Sequence, residues 1–173
     1  MKKLCYSVAM SLDGYIAGPK GEADWIVMDP EIDFRALFAR FDTILIGRKT
    51  YEWMRASHGG PATPGMQTWL FSTTLKPKER AGVTLVADKV KERLTARKKE
   101  PGKDIWLMGG GSLFSSLLGM KLVDRVETAI VPVVLGGGIP FLLPPARKTK
   151  LKLEKQRVYE KSGIVSLEYA VKY

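Results

Sequence analysis

The chain has 173 residues, a usual length for one domain built around a single hydrophobic core. Apolar residues make up 45% and charged residues 27%, which excludes a disordered chain. Cys5 is the only cysteine, so an intrachain disulfide is excluded. No signal peptide is evident, and no apolar stretch approaches the roughly 18 residues of a membrane span. We therefore expect one cytoplasmic domain over residues 1–173, with no membrane partner.

The formal charge of +10 is concentrated in residues 89–103 and 147–161. Such a charge suits nucleic acid, an anionic membrane surface or an anionic small molecule. Neither run is interleaved with the aromatic residues that stack on bases. We expect these two basic runs to form the solvated outer faces of a helix and a hairpin. We expect no nucleic acid partner. A basic nucleic-acid-binding domain is kept as an alternative function.

Short, nearly continuous apolar runs predict strands that are covered on both faces. The predicted strands are 5–10, 43–46, 68–71, 83–86 and 105–108, followed by a longer strand over 125–134 that ends near Pro132. Strands of this kind that alternate with helices indicate an α/β fold around a mostly parallel sheet.

Helical patterns lie between these strands. Asp29 before Pro30 predicts a helix N-cap, and residues 34, 37, 38 and 41 then repeat apolar side chains at helical spacing. Residues 90–99 predict a charged amphipathic helix, and an apolar stripe over 113–118 predicts another. Helices on both faces of the sheet are expected.

The period changes to two at the C-terminus. Apolar residues at 165, 167, 169 and 171 alternate with other residues, which predicts a half-buried strand. Ser162 and Gly163 mark a turn back to the preceding basic segment, so an antiparallel hairpin is expected to close the sheet. Residues 57–67 are predicted to form a long loop, in which His58 is solvent-exposed rather than catalytic.

Three predicted strands end in residues that suit a bound phosphate. Strand 105–108 leads into Gly109, Gly110 and Gly111, and a helix follows. Glycines let the backbone approach a ligand closely, and a helix N-terminus offers unpaired N–H groups. The alternative is a tight turn with a flexible hinge. The motif is neither a GxGxxG fingerprint nor a P-loop.

We call the segment that directly follows each of these strands an exit, and the other two exits are polar. They carry Gly47, Arg48, Lys49 and Thr50 after the second strand and Ser72 and Thr73 after the third. Cations and hydroxyls bind phosphate, but they also begin helices and cap turns. Because ligands bind at the carboxyl ends of parallel strands, the three exits together favour a phosphate-containing ligand.

Four motifs in fixed order carry a family resemblance. They are Ser-Leu-Asp-Gly-Tyr-Ile-Ala at 11–17, Ile-Gly-Arg-Lys-Thr-Tyr-Glu at 46–52, Met-Gly-Gly-Gly-Ser at 108–112 and Pro-Val-Val-Leu-Gly-Gly-Gly-Ile-Pro-Phe at 132–141. As an ordered set they resemble the dihydrofolate-reductase superfamily, and in particular the reductase domain of bifunctional riboflavin-biosynthesis enzymes. The resemblance implies the three-layer dihydrofolate-reductase-like fold, NADPH as the cofactor, and a homodimer.

The same resemblance implies three groups of cofactor contacts. Near the nicotinamide it places Ala9, Gly14 and Ile16. Along the phosphates and adenosine it places Gly47, Arg48, Lys49, Thr50, Ser72 and Thr73. At the pyrophosphate it places Met108, Gly109, Gly110, Gly111, Ser112 and Leu113, with a cis bond between Gly109 and Gly110.

The substrate side is left open by the sequence. Asp13 and Asp33 are the candidate catalytic acids, with ordered water as a third source of the proton. Asp29 and Glu31 compete with Asp33 for the substrate, although Asp29 is also the predicted N-cap and Asp13 equally suits a turn before Gly14. No cluster of metal ligands is present. The expected function is hydride transfer from NADPH to a pterin-like or pyrimidinone-like heterocycle or a carbonyl. A noncatalytic nucleotide-binding member of the same fold is the alternative.

Overall fold

A computed structural model describes residues 1–58, 65–75, 82–144 and 146–173. The strands are β1 Leu4–Ser11, β2 Tyr15–Ala17, β3 Phe41–Gly47, β4 Gln67–Phe71, β5 Thr84–Val86, β6 Asp104–Gly109, β7 Arg125–Val131, β8 Ile139–Pro140, β9 Lys150–Tyr159 and β10 Ile164–Lys172. The helices are α1 Phe34–Ala39, α2 Arg48–His58, α3 Val90–Lys99 and α4 Gly111–Gly119.

Eight of these strands form one sheet, in the order β5-β4-β3-β6-β1-β7-β10-β9. The first six are parallel, whereas β10 runs antiparallel to both β7 and β9. Strands β2 and β8 form a separate antiparallel pair. The predicted α/β class, with a mostly parallel sheet and a C-terminal antiparallel hairpin, is confirmed.

Helices cover both faces of the sheet because neighbouring positions on the central strands alternate between two apolar clusters. On one face Tyr6 stacks on Phe114 of α4 with ring centroids 3.8 Å apart, and Leu94 of α3 is fully buried in the same cluster. On the other face Tyr51 of α2 packs with the buried β3 residues. The ring centroids of Phe38, on α1, and Trp106 are 5.0 Å apart. Cys5 is buried in the sheet, as predicted, and burial raises the pKa of its thiol to about 12.

The first helix begins later than predicted. Asp33, not Asp29, is the N-cap of α1, and its side chain accepts a 2.8 Å hydrogen bond from the Ala36 amide. Asp29 instead accepts from the Glu31 amide at 2.8 Å, which closes a turn around Pro30. Phe41 shares the helical spacing but begins β3, so the predicted helical stripe was one turn too long.

Other boundaries also moved. Strand β7 ends at Val131, three residues before the predicted end, because Pro132 has no N–H to donate to a ladder. The predicted loop over 57–67 was too long, since Ser57 and His58 belong to α2 and Gln67 begins β4. Of the remaining loop residues, 59–64 lie outside the described residues, and the prediction that His58 is exposed stays untested.

Candidate functional site

The three predicted phosphate-binding exits lie side by side at one edge of the sheet. Strand β3 pairs in parallel with both β4 and β6, with Gly47 opposite Phe71 and Ile46 opposite Gly109. Because the register is close, the chain leaves all three strands at nearly the same height. The structure therefore brings the glycine turn together with the segments after Gly47 and Phe71.

Three glycines at this edge have open space where a side chain would begin. A Cβ atom built on Gly47 has no neighbour within 4 Å, and one on Gly109 or Gly110 meets only the Thr50 hydroxyl, at 3.9 and 4.0 Å. None of the three has a positive φ. Neither backbone conformation nor packing therefore requires glycine at these positions, and the absent side chains leave a cradle lined by backbone.

Gly111 differs from these glycines. A Cβ at this position would lie 2.5 Å from the Pro140 carbonyl oxygen, so close backbone packing requires glycine here. Gly110 is the N-cap of α4, and the bond between Gly109 and Gly110 is cis, as the resemblance implies.

Two helix N-termini face the cradle. Helix α2 begins at Arg48 directly after Gly47, and α4 begins at Gly111. Each presents unpaired N–H groups and the positive end of a helix dipole. Lys49 is exposed, whereas the exposed Arg48 guanidinium donates to Glu52 on the same helix at 2.9 Å. This edge of the sheet is suited to an anion.

The other predicted contacts differ in availability. Ser112 is exposed in the first turn of α4, whereas Leu113 and Met108 are partly buried against the two core clusters. The Ser72 hydroxyl accepts hydrogen bonds from the amides of residues 74 and 75, both at 3.2 Å, so it caps a turn. Thr73 remains exposed at the end of β4. Of the two hydroxyls, Thr73 is therefore the better placed to meet a ligand.

The predicted nicotinamide side is joined to the glycine turn by one backbone segment. The Gly14 carbonyl accepts a 2.9 Å hydrogen bond from the Phe141 amide, and Gly14 itself has φ +90°. Ile16 lies in β2, which pairs with β8. Since β8 also supplies the Pro140 carbonyl that packs on Gly111, the loop after β1 and the glycine turn share this support.

Asp13, the first catalytic candidate, is exposed and binds three donors of the fold. Its Oδ1 accepts from the Ser11 hydroxyl at 2.7 Å and the Leu135 amide at 3.1 Å, and its Oδ2 from the Gly136 amide at 2.7 Å. The Ser11 hydroxyl and these amides lower the pKa of Asp13. These contacts favour the ionised carboxylate over the protonated acid.

The other acidic candidates also have partners within the fold. Asp33 is exposed and caps α1, while the Glu31 side chain accepts from Arg157 at 3.1 Å. Asp29 is only 2% exposed. Its pKa is lowered mainly by the Ser162 hydroxyl and to a lesser degree by the Glu31 amide. The geometry thus gives each of the four acids a bonded role, and their catalytic assignment stays a prediction.

Sequence reasoning overlooked one buried acid. Glu127 on β7 is 5% exposed and forms a 2.5 Å ion pair with Arg40, the C-cap of α1. A charge in the middle of the apolar strand 125–131 is the signal that marks it. The pair ties the C-terminal end of α1 to β7.

Neither of two surface pockets is lined by Gly47, Gly109 or Gly110. One of about 340 Å³ lies against α4, β7 and β9, and one of about 260 Å³ lies beside α3. Within the described ranges, no group of three His, Cys, Asp or Glu side chains is arranged to hold a metal ion. A membrane-crossing helix is also lacking in the part of the chain that the structure describes.

Comparison with known proteins places this geometry in a family. The family described as RibD C-terminal domain matches residues 2–165. The chain belongs to this family. The Bacillus subtilis (strain 168) protein YyaP, an uncharacterized protein, is 34% identical to it, over 97% of this chain and 94% of that protein.

Solved structures show the same fold. A putative riboflavin biosynthesis protein from Shewanella sp. PV-4 is similar, with a TM-score of 0.80 and 25% identity over all of both chains. Dihydrofolate reductase from Enterococcus faecalis, complexed with NADP(H) and RAB-propyl, has a TM-score of 0.72 at 19% identity, over 99% of this chain and 97% of that one. This RibD C-terminal domain chain therefore has the dihydrofolate-reductase-like fold.

Proposed function

We propose that this RibD C-terminal domain chain is an NADPH-dependent reductase. Its substrate is a small pterin-like or pyrimidinone-like heterocycle or a carbonyl compound. The observation that carries the proposal is the cradle at Gly47, Gly109 and Gly110, three glycines with open space at their Cβ positions. The dinucleotide in the Enterococcus faecalis structure supports NADP(H) as the ligand on a chain of the same fold.

The residues at the cradle fit a dinucleotide phosphate. Backbone at the three glycines can approach a pyrophosphate closely, and the N-termini of α2 and α4 offer N–H groups to its oxygens. Lys49 and Thr73 supply an exposed cation and hydroxyl for the adenosine side. A positive charge there favours NADPH over NADH, because NADPH carries the additional 2′-phosphate.

When bound, NADPH supplies a hydride from C4 of its nicotinamide. Ala9, Gly14 and Ile16 are proposed to hold that ring at the carboxyl end of β1, where all three are partly buried. Their small or apolar side chains leave room for the ring and help to exclude water. The protein's contribution is alignment of the two reacting rings.

The proton is assigned to ordered water. Asp13 is ionised and accepts bonds from three donors, and Asp33 caps a helix, so neither holds a proton ready for donation. Leu12 and Val134 are 67% and 66% exposed on the loops after β1 and β7, which are joined by a hydrogen bond from the Leu12 amide to the Val133 carbonyl. These side chains provide apolar contact for a flat heterocycle at the mouth of the cleft.

The experiment is a titration of the protein with NADPH, followed by nicotinamide fluorescence and by Tm. Binding raises Tm by mass action, and NADPH is expected to bind at least about tenfold more tightly than NADH. Absence of any response at millimolar NADPH would overturn the proposal.

Turnover is then measured as the loss of NADPH absorbance with pterins, pyrimidinones, quinones and simple carbonyl compounds. Oxidation that depends on one of these substrates is the expected result. Tight NADPH binding without turnover on any substrate would instead favour a noncatalytic nucleotide-binding protein. Salt-dependent affinity for DNA or RNA, with no NADPH response, would favour the nucleic-acid-binding alternative.

A further inference from the structure

The sheet opens between β1 and β6 on the approach to the glycine turn. The ladder of these two strands ends at the pair of Tyr6 and Leu107, although both strands continue beyond it. The next carbonyl of β1, that of Ser7, accepts a 2.9 Å hydrogen bond from the Trp106 indole instead of from a β6 amide. The strands therefore separate beside Ala9, the proposed nicotinamide contact.

Glu127 lies on the sheet next to this opening. Strand β7 pairs with β1 past the point where β6 leaves, with Ser7 opposite Glu127 and Ala9 opposite Ala129. Paired residues of neighbouring strands point to the same side of a sheet, and the side alternates along each strand. Ala9 and Glu127 are therefore on one side, two residues or about 6.6 Å apart along the strands.

Helix α1 lies over the same side of the sheet. Trp106 is opposite Cys5 and so shares the side of Ser7 and Ala9. The ring centroids of Trp106 and Phe38, on α1, are 5.0 Å apart. The ion pair of Glu127 with the C-cap of α1 closes the far end of the space between helix and sheet.

Side chains that border this space remain accessible. Ser7, Ala9 and Ala129 are half-buried, although β1 and β7 each lie between two other strands. On the helix, the half-buried rings of Phe34 and Phe38 have centroids 6.1 Å apart. Side chains inside a close-packed layer are normally covered. We call the space that these five residues border the trough.

The Glu127 carboxylate has one oxygen without a donor. Nη2 of Arg40 donates to Oε1 at 2.5 Å, and no other donor among the described residues bonds this carboxylate. Glu127 is only 5% exposed, and a buried acceptor without a donor is costly. The Arg40 side chain is 33% exposed, and its guanidinium has further N–H groups. A ligand in the trough would meet an acceptor and a donor side by side.

The other charged side chains on this side have partners on β9. Glu168, opposite Glu127 on β10, lies 3.7 Å from Lys155. Arg125, two residues before Glu127 on β7, lies 3.3 Å from Glu154. The charges that remain for the trough are therefore those of the buried pair.

We propose that Glu127 and Arg40 bind the edge of the substrate ring, with Oε2 accepting an N–H and the guanidinium donating to the adjacent carbonyl oxygen. An acceptor beside a donor is the complement of a lactam, in which N–H and C=O are neighbours in one ring. This inference rests on the proposed function and narrows its substrate class to lactam-containing heterocycles such as pyrimidinones. A quinone or a simple carbonyl compound brings acceptors alone and leaves Oε2 without a donor.

The position of the pair also orients the ring. A ring bound at Glu127 extends along the trough toward Ala9 and Ala129, where the nicotinamide is proposed to lie. Phe34 and Phe38 of α1 offer their faces to a flat heterocycle. The lactam edge is thus held at one end of the trough, and the opposite edge of the ring is presented to the cofactor.

The test is equilibrium binding of two pterins that differ at the lactam nitrogen. 6-Methylpterin carries the N–H, whereas 3,6-dimethylpterin carries a methyl group in its place. Calorimetric titration in saturating NADP⁺, which supplies no hydride, measures binding without turnover. The wild type is expected to bind 6-methylpterin at least about tenfold more tightly. Glu127→Gln should bind the two pterins with nearly equal affinity, because the charged acceptor is gone.

Glu168→Gln is the matched control, because it changes the neighbouring acid on the same side of the sheet and should keep the tenfold preference. Circular dichroism and Tm establish that each variant is folded, and NADP⁺ affinity should be the same in all three proteins. If Glu127 served only to pair with Arg40 in the fold, its substitution would lower Tm and leave the preference unchanged.

Two results would overturn the proposal: a wild type without a preference for 6-methylpterin, or a folded Glu127→Gln variant that retains it. The proposed function fails separately, by the absence of any response to NADP⁺ or NADPH. The pterin titrations are therefore repeated without dinucleotide, so that they measure the role of Glu127 in either case.

Discussion

The Asp13 carboxylate accepts a 2.7 Å hydrogen bond from the Gly136 amide, which joins the loop after β1 to the loop after β7. The Ser11 hydroxyl and the Leu135 amide bind the other carboxylate oxygen. A side chain that sequence patterns offer as a catalytic acid therefore holds two loops together at the mouth of the proposed cleft.

Replacing Asp13 with asparagine removes the charge and should lower Tm at neutral pH while the fold is retained. Since hydrogen bonds lower the folded-state pKa of Asp13, its contribution to stability is present above the ordinary aspartate pKa of about 3.9 and is lost as pH falls through the lower folded value. The Tm difference between wild type and variant should therefore shrink in acid. Asp24→Asn, in the exposed segment between β2 and α1, is the control. An unchanged Tm for Asp13→Asn at pH 7 would contradict the role.

Gly47→Ala tests the cradle. Since an added Cβ meets nothing within 4 Å, the variant should fold with a Tm equal to or slightly above that of the wild type. The methyl group would occupy space proposed for the cofactor, so NADPH affinity should fall about tenfold or more. Fluorescence titration and Tm separate the two effects. Gly119→Ala is the control, because this glycine also has no close neighbour but lies at the far end of α4, and it should change neither Tm nor NADPH affinity. Unaltered NADPH affinity in Gly47→Ala would show that the cradle is not part of the cofactor site.

Gly111→Ala should behave in the opposite way. Its Cβ would lie 2.5 Å from the Pro140 carbonyl oxygen, so the free energy of unfolding should fall by about 1–3 kcal/mol before any ligand is added. Denaturant titration without NADPH measures this loss. Stability equal to that of the wild type would show that the β8 segment moves away easily.

Glu127→Gln should destabilise the protein by about 1–3 kcal/mol, because the Arg40 guanidinium loses its buried ionic partner. The matched control is Glu52→Gln, which breaks the Arg48 pair between side chains that are 45% and 47% exposed. That exposed pair is worth at most about 0.5 kcal/mol. If urea titrations gave equal losses of unfolding free energy for the two variants, burial of Glu127 would add nothing to the stability that its ion pair provides.

Asp42→Asn tests a second ion pair, at the amino ends of the strands. Burial works to raise the pKa of Asp42, but hydrogen bonds from Lys2, Thr43 and the Lys103 amide, together with the Lys2 charge, lower it overall. The Lys2 side chain is 1% exposed, so the variant should lose about 2–4 kcal/mol at pH 7. Because the pKa is lowered, this loss should diminish as pH falls below about 4. A difference in unfolding free energy between wild type and Asp42→Asn that does not change with pH would contradict this prediction.

Much of the fold follows from local sequence. The short apolar runs became strands because they alternate between two buried faces, and the glycine turn lies where strand β6 meets α4. The errors arose where one pattern fitted two outcomes. Phe41 continues a helical spacing, yet its ladder with β6 carries it into β3, and Asp33 rather than Asp29 offers the cap once the chain has turned at Pro30.

The sequence by itself determined the chain order of the six parallel strands, the family resemblance and the three strand exits, since these depend on side-chain period and on residues adjacent in the chain. Only the tertiary structure decided that Gly47 has free space while Gly111 has none, and that Asp13 is bound to the loop at 135–136. It also decided that Leu153 and Val158 of β9 are exposed. Each of these depends on atoms far apart in sequence, whose distances are set by sheet register and by the packing of the layers.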